Sequence, residues 1–424
     1  MRTVRRWRGL KALLHDAVDA TVDLVGEGHE STARTVRRVT DAAPAIREPA
    51  RAIDALRRVS THGVLGAIKV TNRALEAVTD AGLDVAERAL LTDATPPAPV
   101  PMRDDAPGGA SWLGDAALGL VNAAVGHHLH EKDNGLGLSM VLRAGDRYVA
   151  PEALGEALPE ASPRVALFVH GLGTTEWSWC LEAEAYHGDP GASFGSLLAR
   201  DLGVTPLWLR YNTGRHVSEN GRELAALLER VRLGYPGGVE ELTLVGHSMG
   251  GLVVRSACHY GEQDGLQWPS LVRHAFYLGS PHRGAPLAKL AHALDGVLEA
   301  IDLPGTRITS RVLRGRSHGI GDLRHGAIVD EDWLAPLPEA SSDAPLLSGA
   351  RHYFVSATLT EDAAHPLGRL AGDLLVRVPS ASGPALRAQH SFPIDTVHRG
   401  GVLHHQLQNH PAVYAQLLEA LRAP

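Results

Sequence analysis

The stretch from Leu242 to Cys258 admits few folds. Leu242-Thr243-Leu244-Val245 is a short apolar run that reads as a buried strand, and Leu252 to Cys258 reads as the start of a helix. Between them stands Gly246-His247-Ser248-Met249-Gly250-Gly251. So short a link requires a sharp turn and a close pass of strand and helix, and residues without a Cβ permit both. Ser248 at the apex then presents its hydroxyl, while the backbone N–H groups of the first helical turn face whatever binds there. A G-x-S-x-G match by itself is cheap in a chain with 45 glycines. The strand before it and the helix after it give it weight.

The same alternation extends along the chain. Val165 to Val169, Pro206 to Leu209, Leu242 to Val245, Ala275 to Leu278 and His352 to Ser356 are continuous apolar runs. Helical patterns such as Ser193–Leu202 and Glu223–Leu233 separate them. Strands apolar on both faces, alternating with helices, predict an α/β fold with a mostly parallel sheet covered by helices on both faces. Leu138 to Leu142 and Arg147 to Val149, around Ala144-Gly145-Asp146, read as an antiparallel opening to that sheet. A helix is expected over Ala116–His128 and a last one from Pro411 to Leu421. In open sheets of this type ligands sit beyond the carboxyl ends of the strands, where Ser248 falls.

Residues 1–94 read differently. Apolar residues recur at helical spacing, as in Leu10, Leu14, Val18, Val22 and Val25, with Arg and acidic residues between them. A helical N-terminal appendage follows, joined by a Pro-rich linker over 95–110 to a domain spanning 111–424. Within that domain, about 282–349 breaks the strand–helix rhythm and reads as a cap-like insertion. The basic first residues, with Arg2, Arg5, Arg6 and Arg8, leave peripheral membrane contact through these helices open. Acidic residues further along favour packing within the chain. His15, Asp16, Asp19 and Asp23 interrupt any signal-peptide core, and no run approaches the ~18 apolar residues of a membrane span, so the expected location is cytoplasmic. A net charge of -7 offers no footprint for nucleic acid. Cys180 and Cys258 are too few for a disulfide framework and read as buried thiols.

A serine nucleophile needs a base, and the base an orienting acid. With the elbow first in the chain, acid and then histidine should follow. His404 and His405, just before the last helix, are the candidates for the base. For the acid, Asp373 in Gly372-Asp373-Leu374-Leu375-Val376 competes with Asp362 and Asp395, and less strongly with Glu361. Oxyanion donors are expected from the backbone N–H groups of Met249 and of Leu172, in the glycine turn His170-Gly171-Leu172-Gly173-Thr174. Trp177 and Trp179 are substrate-pocket candidates, or aromatics packed under that loop. His127-His128-Leu129-His130 and the His404, His405, His410 group lack a carboxylate or Cys at a recognised metal spacing. Gly171 and Gly173 lack a P-loop lysine. Neither a metal nor a cofactor is expected.

These segments resemble the α/β-hydrolase superfamily, and within it bacterial lipases and esterases. Val169-His170-Gly171-Leu172-Gly173, Gly246 to Gly251, Leu278-Gly279-Ser280-Pro281-His282-Arg283-Gly284 and Gly372 to Val376 are similar to lipase segments in the same order. His404-His405-Gln406-Leu407-Gln408-Asn409 resembles the lipase pattern H-L-D-x-x-N, whose first residue is the catalytic histidine. The resemblance covers about residues 138–424 and implies the triad Ser248, Asp373 and His404. In calcium-binding lipases the Asp of that pattern helps hold a structural calcium. Gln406, a weak neutral ligand, stands there in this chain, which puts such a site in doubt. The segments Asn122–Arg143 and Leu209–His216 are also similar to lipase-family proteins with an N-terminal helical region. The implied activity is that of a serine carboxylic-ester hydrolase, acting on an ester or lipid through an acyl-enzyme. Acyl transfer by the same triad is the alternative within enzymes. A membrane- or partner-binding protein led by the N-terminal helices is the alternative outside them.

Overall fold

The computed structural model describes residues 110–145, 147–285, 317–334, 344–358 and 394–423, with Ala12, Arg73, Thr360 and Val376. The helical region expected over 1–94 save Ala12 and Arg73, the linker over 95–110 save Ala110, residues 286–316 and 335–343 of the expected insertion, and Asp362, Glu361 and Asp373 lie outside the described residues. By internal contacts the chain divides into two compact units, residues 1–97 with 131–136, and residues 98–130 with 137–424.

The second unit is organised on an eight-stranded sheet in the order β2-β1-β4-β3-β5-β6-β7-β8. The strands are β1 Val141–Ala144, β2 Arg147–Val149, β3 Arg164–Val169, β4 Thr205–Arg210, β5 Glu241–His247, β6 Val272–Leu278, β7 Arg351–Thr358 and β8 Ile394–Gly400. β1 runs antiparallel to β2 and to β4, and every other pairing is parallel.

Side-chain alternation explains the continuous apolar runs. Along β3, Val165, Leu167 and Val169 enter one hydrophobic cluster, while Ala166 and Phe168 enter another on the opposite face. A strand buried on both faces therefore reads as a near-continuous apolar run. Of the longer helices, α1 spans Ala110–Glu131, α2 Phe194–Leu202, α3 Val217–Gly234, α4 Met249–Gln263, α5 His318–His325 and α6 Pro411–Arg422. Leu224, Leu228, Leu252 and Val253 bring α3 and α4 onto the first face. Phe194, Leu198, Val413 and Leu417 bring α2 and α6 onto the second. This is an α/β-hydrolase architecture.

Chain order makes the sheet reverse between β3 and β5. From β3 the chain crosses to β4 on one side, then returns to place β5 on the other. Such a switch leaves a crevice at the carboxyl ends of the two strands. Val169 pairs with Gly246 at that end, so the loops after β3 and β5 emerge side by side.

α1 is broken at Val125, whose φ of -137° is not helical. Asn212, beyond β4, donates its Nδ2–H to Gly126 O at 2.8 Å, and its Oδ1 accepts from Gly214 N–H at 3.0 Å. Gly214 is pressed onto α1, since a Cβ there would stand 2.6 Å from Gly126 N and 2.8 Å from Gly126 Cα. Backbone cannot give way as a flexible side chain can. Gly214→Ala is therefore expected to lose about 1–3 kcal/mol of unfolding free energy by overpacking, read from the urea midpoint at unchanged m-value. An unchanged midpoint would mean that α1 does not press on this loop.

Candidate active site

β5 ends at His247, and Ser248 follows with φ 53° and ψ -121°. Few non-glycine residues hold a positive φ, and one held so costs on the order of 1–3 kcal/mol. The surroundings impose it. Ser248 N–H donates to Leu278 O at 2.8 Å, and Gly251 N–H donates to Ser248 O at 3.1 Å. A Cβ on Gly246 would stand 2.5 Å from Gly251 N and Cα, and one on Gly250 would run into Val169 O. The turn is as tight as the sequence required, and it leaves Ser248 partly exposed at the head of α4.

The turn after β3 lies against it. A Cβ on Gly171 would stand 3.0 Å from Ser248 Cβ. Gly171 O accepts from Thr174 N–H at 3.4 Å and from Thr174 Oγ1 at 3.0 Å. Gly173 has φ 73°, the left-handed value a tight turn of this kind needs. Its N–H donates to Thr213 Oγ1 at 3.3 Å. Among the described residues, no acceptor takes the N–H of Leu172 or of Met249.

His404 opens the short helical turn His404–Gln408 after β8 and is buried. It rests on Gly279, where a Cβ would stand 3.1 Å from His404 Cε1. Gly279 directly follows Leu278, whose carbonyl holds Ser248. The ring of His247 lies 4.8 Å from that of His404. His247 Nε2 sits 3.0 Å from His404 O; a carbonyl only accepts, so Nε2 carries the hydrogen. Burial, and then the neighbouring His404, hold His247 well below the usual imidazole range, so it stays neutral.

The turn bearing His404 is fastened from the other side. Ser178 Oγ–H donates to Gln408 Oε1 at 2.6 Å. The buried Asn409 donates Nδ2–H to Leu181 O at 3.3 Å and to Ala192 O at 3.2 Å. Gln406 accepts from Leu403 N–H at 2.8 Å and donates to Glu182 Oε2 at 3.1 Å, so its amide serves as a hydrogen-bond clamp. His405 points away toward Glu182 Oε1, 3.0 Å distant, and is half-exposed. Asp395 lies on β8, half-buried, beside Arg351 at 3.8 Å. Among the described residues, no three His, Cys, Asp or Glu side chains converge as metal ligands.

Trp177 and Trp179 are both committed to packing. Trp179 is wholly buried, edge-on to Phe168 at 5.1 Å between ring centroids. Trp177 stacks on the Arg143 guanidinium at 4.3 Å. This is the packed-aromatic arrangement, the second of the two expectations for these rings. The strand–turn register that put them after the glycine loop turns them inward. Cys180 and Cys258 are buried free thiols.

The described part of the expected insertion, residues 317–334, packs against the loop after β4. Gly319 N–H donates to Gly214 O at 3.3 Å, and Asp322 accepts from Val217 N–H at 2.7 Å and sits 3.1 Å from His216 Nδ1. The His216 ring stacks between His318 at 4.1 Å and Trp333 at 3.9 Å. A Cβ on Gly319 would stand 2.8 Å from Met249 Cε, so α5 meets the residue next to Ser248. Residues 209–216 resemble lipase-family segments, but no local pattern marks the roles of His216, Asp322, Tyr211 or Thr213, because each acts through a partner distant in the chain.

His170, at the root of the glycine turn, is fully buried, and burial holds its imidazole down to about 4. An unfolded histidine takes its proton near 6.5, so the stability contribution is complete above that pH and is lost as pH falls toward 4. At pH 5 the gap is about 1.5 units, or about 2 kcal/mol from this residue alone. His247 and His282, lowered by burial too, act in the same direction. Urea midpoints should fall steeply between pH 6.5 and 5. A flat profile across that window would contradict burial of the neutral rings.

Sheet order, elbow and glycine turn together give this chain an α/β-hydrolase fold. Residues 210–333 match the PGAP1-like alpha/beta domain family. No curated protein matches the chain. Among solved structures, the chain is similar to a Bacillus licheniformis lipase in its mature form, at 17% identity and TM-score 0.41, over 62% of this chain and 93% of that one. It is also similar to a Clostridium acetobutylicum lipase-esterase related protein, at 16% identity and TM-score 0.33, over 62% and 94%. A Bacillus subtilis carboxylesterase matches at 12% identity and TM-score 0.36, over 62% and 84%. At such values these likenesses say nothing of activity. Among the described residues, no helix is long and apolar enough to cross a membrane.

Proposed function

We propose that the chain is a serine carboxylic-ester hydrolase working through an acyl-enzyme on Ser248. The observation that carries the proposal is the convergence at the β3/β5 crevice. Ser248 stands on a strained elbow, the Gly171 turn lies flush against its Cβ, and His404 rests on the glycine that follows the carbonyl holding Ser248. In the proposed reaction Ser248 Oγ attacks the ester carbonyl carbon and His404 takes its proton. Asp373 orients the imidazole and stabilises its charged form. The N–H groups of Leu172 and Met249 receive the oxyanion. Collapse breaks the bond to the alkoxy oxygen, and the alcohol leaves with the proton from His404. Water, deprotonated by His404, then attacks the acyl carbon, and the acid leaves as Ser248 regains its proton.

A series of p-nitrophenyl esters, from acetate to palmitate, tests this reading. Turnover is expected with one equivalent of free acid per p-nitrophenol. No turnover anywhere in the series, in folded protein, would sink it.

A further inference from the structure

The segment Arg210-Tyr211-Asn212-Thr213-Gly214 after β4 has no part in the triad, yet it touches the glycine turn at two points. Tyr211, fully buried, donates its O–H to His170 O at 2.8 Å and stacks on the His170 ring at 4.5 Å between centroids. Thr213, 1% exposed, accepts Gly173 N–H at 3.3 Å. These two bonds bracket Leu172 on either side. The Gly173 N–H is thereby drawn off toward β4, and the Thr174 N–H is taken by Gly171 O. Beyond Gly171, that leaves the Leu172 N–H as the donor of the turn that can face Ser248.

The bracket is itself braced. Asn212 holds Gly126 O of α1 and the Gly214 N–H, and Asn220 Nδ2–H holds Asn212 O at 2.9 Å. α1 lies against the turn directly, since a Cβ on Gly119 would stand 3.0 Å from Gly173 O. From the other side, Gly319 N–H and Ser317 Oγ–H reach Gly214 O at 3.3 and 3.4 Å. The loop cannot shift without moving α1 or α5.

We infer that Thr213 and Tyr211 are positioning residues for the oxyanion donor, setting the direction of the Leu172 N–H through the bonds to Gly173 N–H and His170 O. The inference rests on the serine-hydrolase reading above. A preorganised donor is worth much more in the transition state than in the bound ester, so a misdirected one lowers kcat and leaves KM nearly alone.

The test compares wild-type, Thr213→Val, Thr213→Ser, Tyr211→Phe and Ser248→Ala proteins, each checked for a native circular dichroism spectrum and thermal midpoint. Each is assayed for p-nitrophenyl butyrate turnover and for the rate of fluorophosphonate labelling. Thr213→Val keeps the volume and removes the acceptor. Its kcat should fall by about 10- to 100-fold, short of the ~10²–10³ for outright loss of a donor, with KM within about twofold. Thr213→Ser, which keeps the hydroxyl, should restore most of the rate. Tyr211→Phe, which keeps the ring stack, should show a smaller fall in kcat alone. If Thr213→Val is too unstable to assay, the Ser and Phe variants carry the comparison. Wild-type-like kcat in both Thr213→Val and Tyr211→Phe, or a loss that appears in KM, would overturn the positioning role. If the wild-type protein takes no label that Ser248→Ala abolishes, the hydrolase reading itself fails, and the positioning role falls with it.

Discussion

Ser248→Ala is expected to lower kcat on activated esters by about 10⁴- to 10⁶-fold. Without the hydroxyl no acyl-enzyme forms, and the oxyanion donors alone recover only a small residual rate. The variant should fold as the parent does, because alanine at φ 53° keeps the backbone strain that serine bears. Ser248→Gly separates the two effects. It should be equally inactive, yet more stable by about 1 kcal/mol, since glycine accepts a positive φ without penalty. Full activity in Ser248→Ala would mean that another group is the nucleophile.

The second large effect lies away from the crevice. Glu176 is wholly buried, with Arg210 Nε at 2.7 Å from Oε2 and Arg210 Nη2 at 2.7 Å from Oε1, and Tyr148 O–H donates to the same carboxylate at 2.5 Å. Asp115 takes a further Arg210 N–H at 2.7 Å. Burial alone would push the Glu176 carboxyl up, but Arg210 and the Tyr148 hydroxyl outweigh it and hold it below the usual range. Glu176→Ala strips Arg210 of its main partner in a site nearly closed to water. The expected loss is about 3–5 kcal/mol of unfolding free energy, the usual result of leaving a buried charge half-compensated. Denaturant titration reads it directly. A loss below about 1 kcal/mol, typical of exposed pairs, would show that water reaches the site.

Much of the architecture was legible because burial on two faces writes itself as apolar runs. The stretches Val165–Val169, Leu242–Val245 and Ala275–Leu278 are found as β3, β5 and β6, each a residue or more longer than the run suggested. β8 was harder to see. Ile394–Gly400 carries Asp395, His398 and Arg399 and is the last strand of the sheet among the described residues, so no apolar pattern marks it. The helix expected over Ala116–His128 runs from Ala110 to Glu131, and its break at Val125 answers to Asn212, far along the chain. At the site, the elbow was legible because strand, glycines and helix lie together in sequence. His216 and Asp322 are 106 positions apart, and no local pattern joins them. For Trp177 and Trp179 the sequence left two readings open, because adjacency to a loop does not fix which way a ring points. Arg143 and Phe168 decide that.

Whether Ser248 is the acylated nucleophile can be read by mapping a fluorophosphonate adduct with peptide mass spectrometry. One adduct per chain is expected, on Ser248, with labelling slowed by at least about 10²-fold in His404→Ala, which lacks the base. An adduct on any other residue, or none on folded protein, would contradict that role.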